Sequence, residues 1–152
     1  MCASGHHDGL VASLAVQAIG AIAEMKALVG DHTGAAAAQQ QHATSVQAFS
    51  RIYWNGQVFS DWVDSAGRAR NYFYTWHNLI AVTSGIANDS QAASIMGSLA
   101  AERSRLEQQF NLSTGGVFCT PANMRPADPD DILYCNANQP FPFYENGKSL
   151  RP

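Results

Sequence analysis

From Gly9 onward, apolar side chains recur every three or four residues at Val11, Leu14, Ala15, Ala18, Ile22, Met25 and Val29. This is the period of one helix face, so these residues are expected to face the core. Asp8 stands where an N-cap belongs and Gly30 where a left-handed C-terminal glycine belongs, which bounds the helix at both ends. A second helix is predicted from Asp31 or Thr33, through the alanine and glutamine tract, with Val46, Phe49 and Tyr53 on one side. The two helices form a first pair over residues 9–53. Between Trp54 and Tyr74 the period shortens to two. Phe59, Asp61 and Val63 alternate with Val58, Ser60 and Trp62, and Asp64-Ser65-Ala66-Gly67 is a turn signal, which predicts a β-hairpin over 57–74.

A third helix, Trp76 to Ala87, is expected to bury Leu79, Ile80, Thr83 and Ile86. A fourth begins after Asn88 or Asp89 and lines up Ala92, Ile95, Met96, Leu99, Leu106 and Phe110 against charged Glu102, Arg103, Arg105 and Glu107. These make a second pair over 76–110. Residues 111–152 hold all 6 prolines and no sustained period, so they read as one long loop. The fold class is therefore all-α: two αα-hairpins with a β-hairpin excursion and a long C-terminal loop, in one domain covering 1–152.

Composition adds a missing surface. Only 14% of the residues are charged and 46% are hydrophobic, against about 25% charged in an average soluble domain. A chain so poor in charge is expected to cover part of its surface with a partner. The net charge of -3 provides no basic stripe for a phosphate backbone, which argues against nucleic acid. No unbroken apolar run reaches about 18 residues, so no membrane association is expected. Cys2, Cys119 and Cys135 are too few and too irregular for a disulfide framework or a zinc site. His6 and His7 are adjacent, while His32, His42 and His77 are scattered with no carboxylate at ligand spacing, so neither a metal nor a cofactor is expected. Sequons at Asn88 and Asn111 leave the compartment open.

The order of four stretches carries more. "HHDGL" precedes a long helix; "YWNGQVFSDWVDSAGR", "NYFYTWHNLIAVTSGIANDSQAASIM" and "PFYENG" follow. In this order the chain resembles the catalytic domain of the six-hairpin glycosidases, the (α/α)6 toroids of cellobiose-type phosphorylases and α-glucoside hydrolases. The resemblance spans nearly the whole chain and corresponds to about a third of a toroid. It implies an enzyme that cleaves glycosidic bonds of oligosaccharides, and a partner that is either the remainder of the toroid or a second copy of the chain. Asp8 matches the Asp-Gly part of the phosphorylases' Asp-Trp-Asn-Asp-Gly pattern, with His6 and His7 in place of Trp-Asn. Glu145 matches the glutamate of a later Glu-Asn-Gly-Gly pattern, with Lys148 in place of the second glycine.

Glycoside cleavage generally needs two carboxyl groups, one to protonate the leaving oxygen and one to activate water or attack directly. Asp8 and Glu145 are the catalytic candidates. Substrate-binding candidates are His7 and Asn146 beside them, Asp61 and Trp62 in the hairpin, and Trp76, His77 and Asn78 at the mouth of the toroid. Plainer readings accompany these: Asp8 as a helix cap only, Asp64 as the first residue of a turn, and His77 with its neighbours as core. Three alternatives stay open. An inverting phosphorylase would need an anion site, from His6, His7, Arg125 and Lys148. A non-enzymatic helical interaction module would leave Asp8 and Glu145 far apart. An epimerase on the same toroid would use His77 or His7 as a base.

Overall fold

The computed structural model describes residues 7–71, 73 and 75–109. The expected loop 111–152, and with it Glu145, Asn146, Arg125 and Lys148, lies outside the described residues, as does His6. The elements in chain order are β1 (His7–Asp8), α1 (Gly9–Leu28), α2 (His32–Tyr53), β2 (Trp62–Val63), β3 (Ala69–Arg70), α3 (Thr75–Thr83) and α4 (Asp89–Gln109). The fold is mostly helical, as expected, and carries a small antiparallel sheet of order β1-β2-β3.

Local chemistry sets the helix ends. Asp8 accepts a hydrogen bond from the Val11 N–H at 2.9 Å, which caps α1. Gly30, at φ 82, reverses the chain after it. Asp31 caps α2 by accepting from Gly34 N–H at 2.8 Å, and its other oxygen pairs with Lys26 at 2.8 Å. The Lys26 hydrogen bond, followed by that from Gly34, holds the Asp31 carboxyl below its usual range. Asn88 and Gln91 exchange hydrogen bonds between side chain and backbone (2.9 and 3.1 Å), a reciprocal cap that starts α4.

α1 and α2 form an antiparallel pair in which Gly20 lies against the His42 ring and Asp8 against Tyr53. The core comprises Val16, Phe49, Tyr53, Val58, Phe59, Phe73, Ala81, Ile86, Ala87 and Ile95. At its centre Phe59 stacks edge-on against Phe49 (4.9 Å between ring centroids) and Trp54 (5.1 Å). Phe49 and Tyr53 of α2 are buried as the period implied.

Three expectations change. First, α1 buries Gly9, Ser13, Val16 and Ala23, and the face assigned to the core points outward: Val11, Leu14, Ile22, Met25 and Val29 are all exposed. α1 is apolar all round, so small residues, which let α2 approach closely, decide which side packs. By length and composition α1 is also apolar enough to cross a membrane, with a mean hydropathy of 1.4; an unbroken-run criterion passes over it because Glu24 and Lys26 interrupt the run.

Second, the hairpin is shorter than 57–74. Its paired strands are only Trp62–Val63 and Ala69–Arg70, and Val58, Phe59, Ser60 and Asp61 are all buried instead of alternating. Asp64 forms the turn between them, accepting from Ala66 and Arg68 N–H groups at 2.9 Å. The Arg68 backbone hydrogen bond is the largest effect keeping its carboxyl below the usual range. Third, α3 ends at Thr83, and Ile86 is buried beyond it, after a turn at Gly85 with φ 73.

Candidate functional site

The sheet brings together residues more than fifty positions apart in sequence. Asp8 pairs with Trp62 and His7 with Val63, and β2 in turn pairs with β3. Cross-strand partners in an antiparallel pair share a face of the sheet, so the Asp8 and Trp62 side chains leave the ladder on the same side. The Gly9 N–H donates to the Asp61 carbonyl at 2.7 Å and continues the ladder into the first turn of α1.

This approach requires glycine. A Cβ on Gly9 would lie 2.7 Å from the Asp61 carbonyl oxygen and 2.9 Å from that of Ser60. Both are backbone atoms that cannot swing aside. Gly9→Ala is therefore expected to lower unfolding stability by about 2 kcal/mol, as overpacking of a tight contact does. Chemical denaturation measures it; a change within about 0.5 kcal/mol, the usual range for an unconstrained surface position, would show that the contact is not tight.

Beneath the sheet lies an inner set of side chains. Asn78 is fully buried; its Oδ1 accepts from Phe59 N–H at 2.9 Å and its Nδ2 donates to Phe59 C=O at 3.0 Å. One amide side chain thus substitutes for a strand partner. His77 Nε2 is 3.0 Å from the same carbonyl and 3.5 Å from Asp61 Oδ1. The same nitrogen lies 3.1 Å from Asn78 Nδ2, so it sits among two oxygens and an amide N–H. Burial drives the imidazole down to about 4, outweighing the opposing pull of the Phe59 hydrogen bond and of the Asp8 charge, so His77 is neutral near pH 7. The chain enters α3 through Phe73, a buried residue at φ 54 whose N–H is held by Asn71 Oδ1 at 3.2 Å. A bulky residue in that region is strained.

The expected site residues therefore fall into two layers. His7 and Trp76 are exposed, and Asp8 and Trp62 are half-buried, so solvent reaches all four. Asp61, His77 and Asn78 are buried beneath them, at 4%, 1% and 0% exposure. The inner three hold the Phe59–Asp61 segment in place, and solvent does not reach them. Tyr53, itself buried, reaches the outer layer from α2: its hydroxyl donates to the Asp8 carbonyl at 3.2 Å. Burial, and secondarily the Asp8 charge, raise the Tyr53 phenol above its usual range. Sequence reading placed Tyr53 only in the core; its position on the buried side of α2, one helix length from an N-cap at the start of α1, was the available signal. Gly9 carried a clearer one, because glycine is a poor choice for the first turn of a helix unless something lies close.

The arrangement is thus a carboxylate at a helix N-terminus and an indole on one face of the sheet, above a buried polar layer of Asp61, His77 and Asn78. Among the described residues no group of three or more His, Cys, Asp or Glu side chains is placed to hold a metal ion. The chain matches no protein-family model, no curated protein and no solved structure.

Proposed function

We propose that this protein is a carbohydrate-active enzyme that cleaves glycosidic bonds of oligosaccharides, with Asp8 as one member of a carboxylate pair and Glu145 as the other. The observation that carries the proposal is the convergence of Asp8, Trp62, Asp61, His77 and Asn78, chosen from separate stretches of sequence, around the β1–β2 pairing. A carboxylate next to an aromatic face is the composition that glycoside cleavage uses: the ring covers the apolar face of a sugar, and the carboxyl group serves the glycosidic oxygen or the water.

In this reading Trp62 and Trp76 form the sugar platform and His7 borders it. Asp61, His77 and Asn78 fix the backbone under Trp62, and Tyr53 fixes the backbone of Asp8. The matched phosphorylase pattern carries the general acid at the position of Asp8, which the Val11 N–H holds at the start of α1; Glu145 is then the second carboxylate. The two helical pairs are proposed as part of an (α/α)6 toroid whose other hairpins come from further helical segments. A phosphorylase would differ in using phosphate in place of water. A non-enzymatic helical module is the second reading, favoured by the outward apolar face of α1.

The test is an assay of the full chain on α- and β-linked disaccharides, with and without inorganic phosphate. Release of free sugars without phosphate is the expected result, and phosphate-dependent formation of a sugar phosphate would move the assignment to a phosphorylase. Absence of turnover on every substrate, with the chain folded, would contradict the enzyme reading.

A further inference from the structure

The loop that carries the chain from α2 to the buried Phe59 holds chemistry that the catalytic reading does not use. An antiparallel bridge between Trp54 and Phe59 closes residues 55–58 into a tight turn, and the Asn55 N–H donates to the Val58 carbonyl at 3.1 Å. The Asn55 side chain folds back over that turn. Its Oδ1 accepts from two backbone N–H groups, Gln57 at 2.9 Å and Val58 at 3.0 Å. From α4 the Ser94 hydroxyl donates to the Gln57 carbonyl at 2.7 Å and ties the turn to the helix. Gly56 follows Asn55 at φ 96, with open space where a side chain would stand. Among the described residues its N–H gives no hydrogen bond. Asn55, Gly56 and Gln57 are exposed, so water reaches them.

Two N–H groups converging on one amide oxygen are the arrangement that stabilises an oxyanion in acyl transfer. The acyl group here is the Asn55 side-chain amide. The adjacent nucleophile is the backbone nitrogen of Gly56, with no Cβ beside it to hinder approach. We propose that Asn55 is a site of self-catalysed deamidation, promoted by the folded turn. The Gly56 nitrogen attacks Asn55 Cγ, forming the N–Cγ bond and placing negative charge on Oδ1, where the Gln57 and Val58 N–H groups hold it. The Cγ–Nδ2 bond then breaks, and the proton lost from the Gly56 nitrogen leaves with the amide group as ammonia. Water opens the resulting cyclic imide at either carbonyl. Attack at Cγ gives aspartate; attack at the Asn55 backbone carbonyl gives isoaspartate, whose main chain runs through Cβ and is longer by a methylene.

The two products differ in consequence. Either adds a negative charge to a chain of net charge -3. Aspartate keeps an oxygen for the Gln57 and Val58 N–H groups, so the turn survives. Isoaspartate lengthens the backbone between Trp54 and Gly56, so the bridge to Phe59 loses its register. The modification thereby reaches the segment that Asn78 clamps.

Peptide mapping by mass spectrometry of the full chain, incubated at neutral pH, separates the aspartate and isoaspartate forms and gives the rate. Asn55 should convert at least about threefold faster in the folded protein than in the same chain unfolded in urea, a fraction of what a water-excluded oxyanion site supplies. Asn146, which also precedes glycine, sets the ordinary rate in the unfolded sample. Ser94→Ala loosens the turn while alanine suits α4, and should bring the folded rate down toward the urea rate with the circular dichroism unchanged. A folded rate equal to or below the urea rate would overturn the proposal, because the two hydrogen bonds would then hold the amide away from the Gly56 nitrogen. A rate that Ser94→Ala leaves unchanged would overturn the turn as its cause. Either failure leaves the disaccharide assay unaffected.

Discussion

Replacing Asn78 with alanine is expected to lower unfolding stability by about 4 kcal/mol. The Asn78 amide accepts from the Phe59 N–H and donates to the Phe59 carbonyl, with no solvent access to either bond. Truncation would leave the Phe59 N–H buried without this partner, at roughly 1–3 kcal/mol, would leave the Phe59 carbonyl to His77 alone, and would open a cavity beneath Phe59. Phe59 lies at the centre of the aromatic core, so the loss should spread to Phe49 and Trp54. Urea denaturation of Asn78→Ala is the measurement. A loss under about 1 kcal/mol would mean that the segment holds its shape without the side-chain clamp. Asn78→Asp keeps the acceptor for Phe59 N–H but removes the donor and brings a buried charge near Asp61, and should be no better tolerated.

Acidification from pH 7 to pH 4 is expected to remove about 3 kcal/mol of stability through His77 alone. Its folded value of about 4 lies below the ordinary 6.5. As pH falls below about 6.5, the unfolded chain takes up a proton at this residue that the folded protein refuses. Stability therefore declines down to about pH 4 and levels off once the folded imidazole also protonates. Asp31 and Asp64, whose carboxyls are held below their usual range, add their losses mostly under that window. Urea midpoints at pH 7, 5.5 and 4 would follow the decline. A His77→Gln variant, which keeps an amide donor near the Phe59 carbonyl, should lose most of the slope between pH 6.5 and 4. An unchanged slope in that variant would assign the acid sensitivity elsewhere.

How much of this was legible in the sequence depended on the range of the interactions. Helix starts at Asp8, Asp31 and Asn88 are decided by bonds to residues three positions away, so residue type and spacing suffice to find them. The left-handed turn at Gly30 is equally local. Phe49 and Tyr53 stood out because α2 is otherwise polar. α1 gave no such contrast: with apolar residues on every side, its period cannot say which side meets α2. That choice is made by Gly20 against His42 and by Ser13 and Ala23, where small size matters more than hydrophobicity. The alternation at 58–63 misled for the opposite reason, because Ser60 and Asp61 are as buried as Val58 and Phe59.

The site was legible as a set of residue types and illegible as a place. Asp8 and Trp62 become neighbours through a register between strands of two residues each, too short to leave a pattern. Nothing in "TWHN" separates exposed Trp76 from buried His77 and Asn78; the bonds of His77 and Asn78 to Phe59, 18 and 19 positions away, mark the buried side. Tyr53 reaches Asp8 only because α2 returns antiparallel along α1.

The central claim, that the Asp8 carboxylate does chemistry as well as capping α1, is tested most directly by turnover of Asp8→Asn on the best disaccharide substrate. Asparagine caps a helix about as well as aspartate, so the Val11 bond and the stability should be retained while proton exchange is lost. The account predicts a fall in kcat of at least about a hundredfold with an unfolding midpoint within error of the wild type. Wild-type turnover in a folded Asp8→Asn protein would contradict it and leave Asp8 as a cap alone.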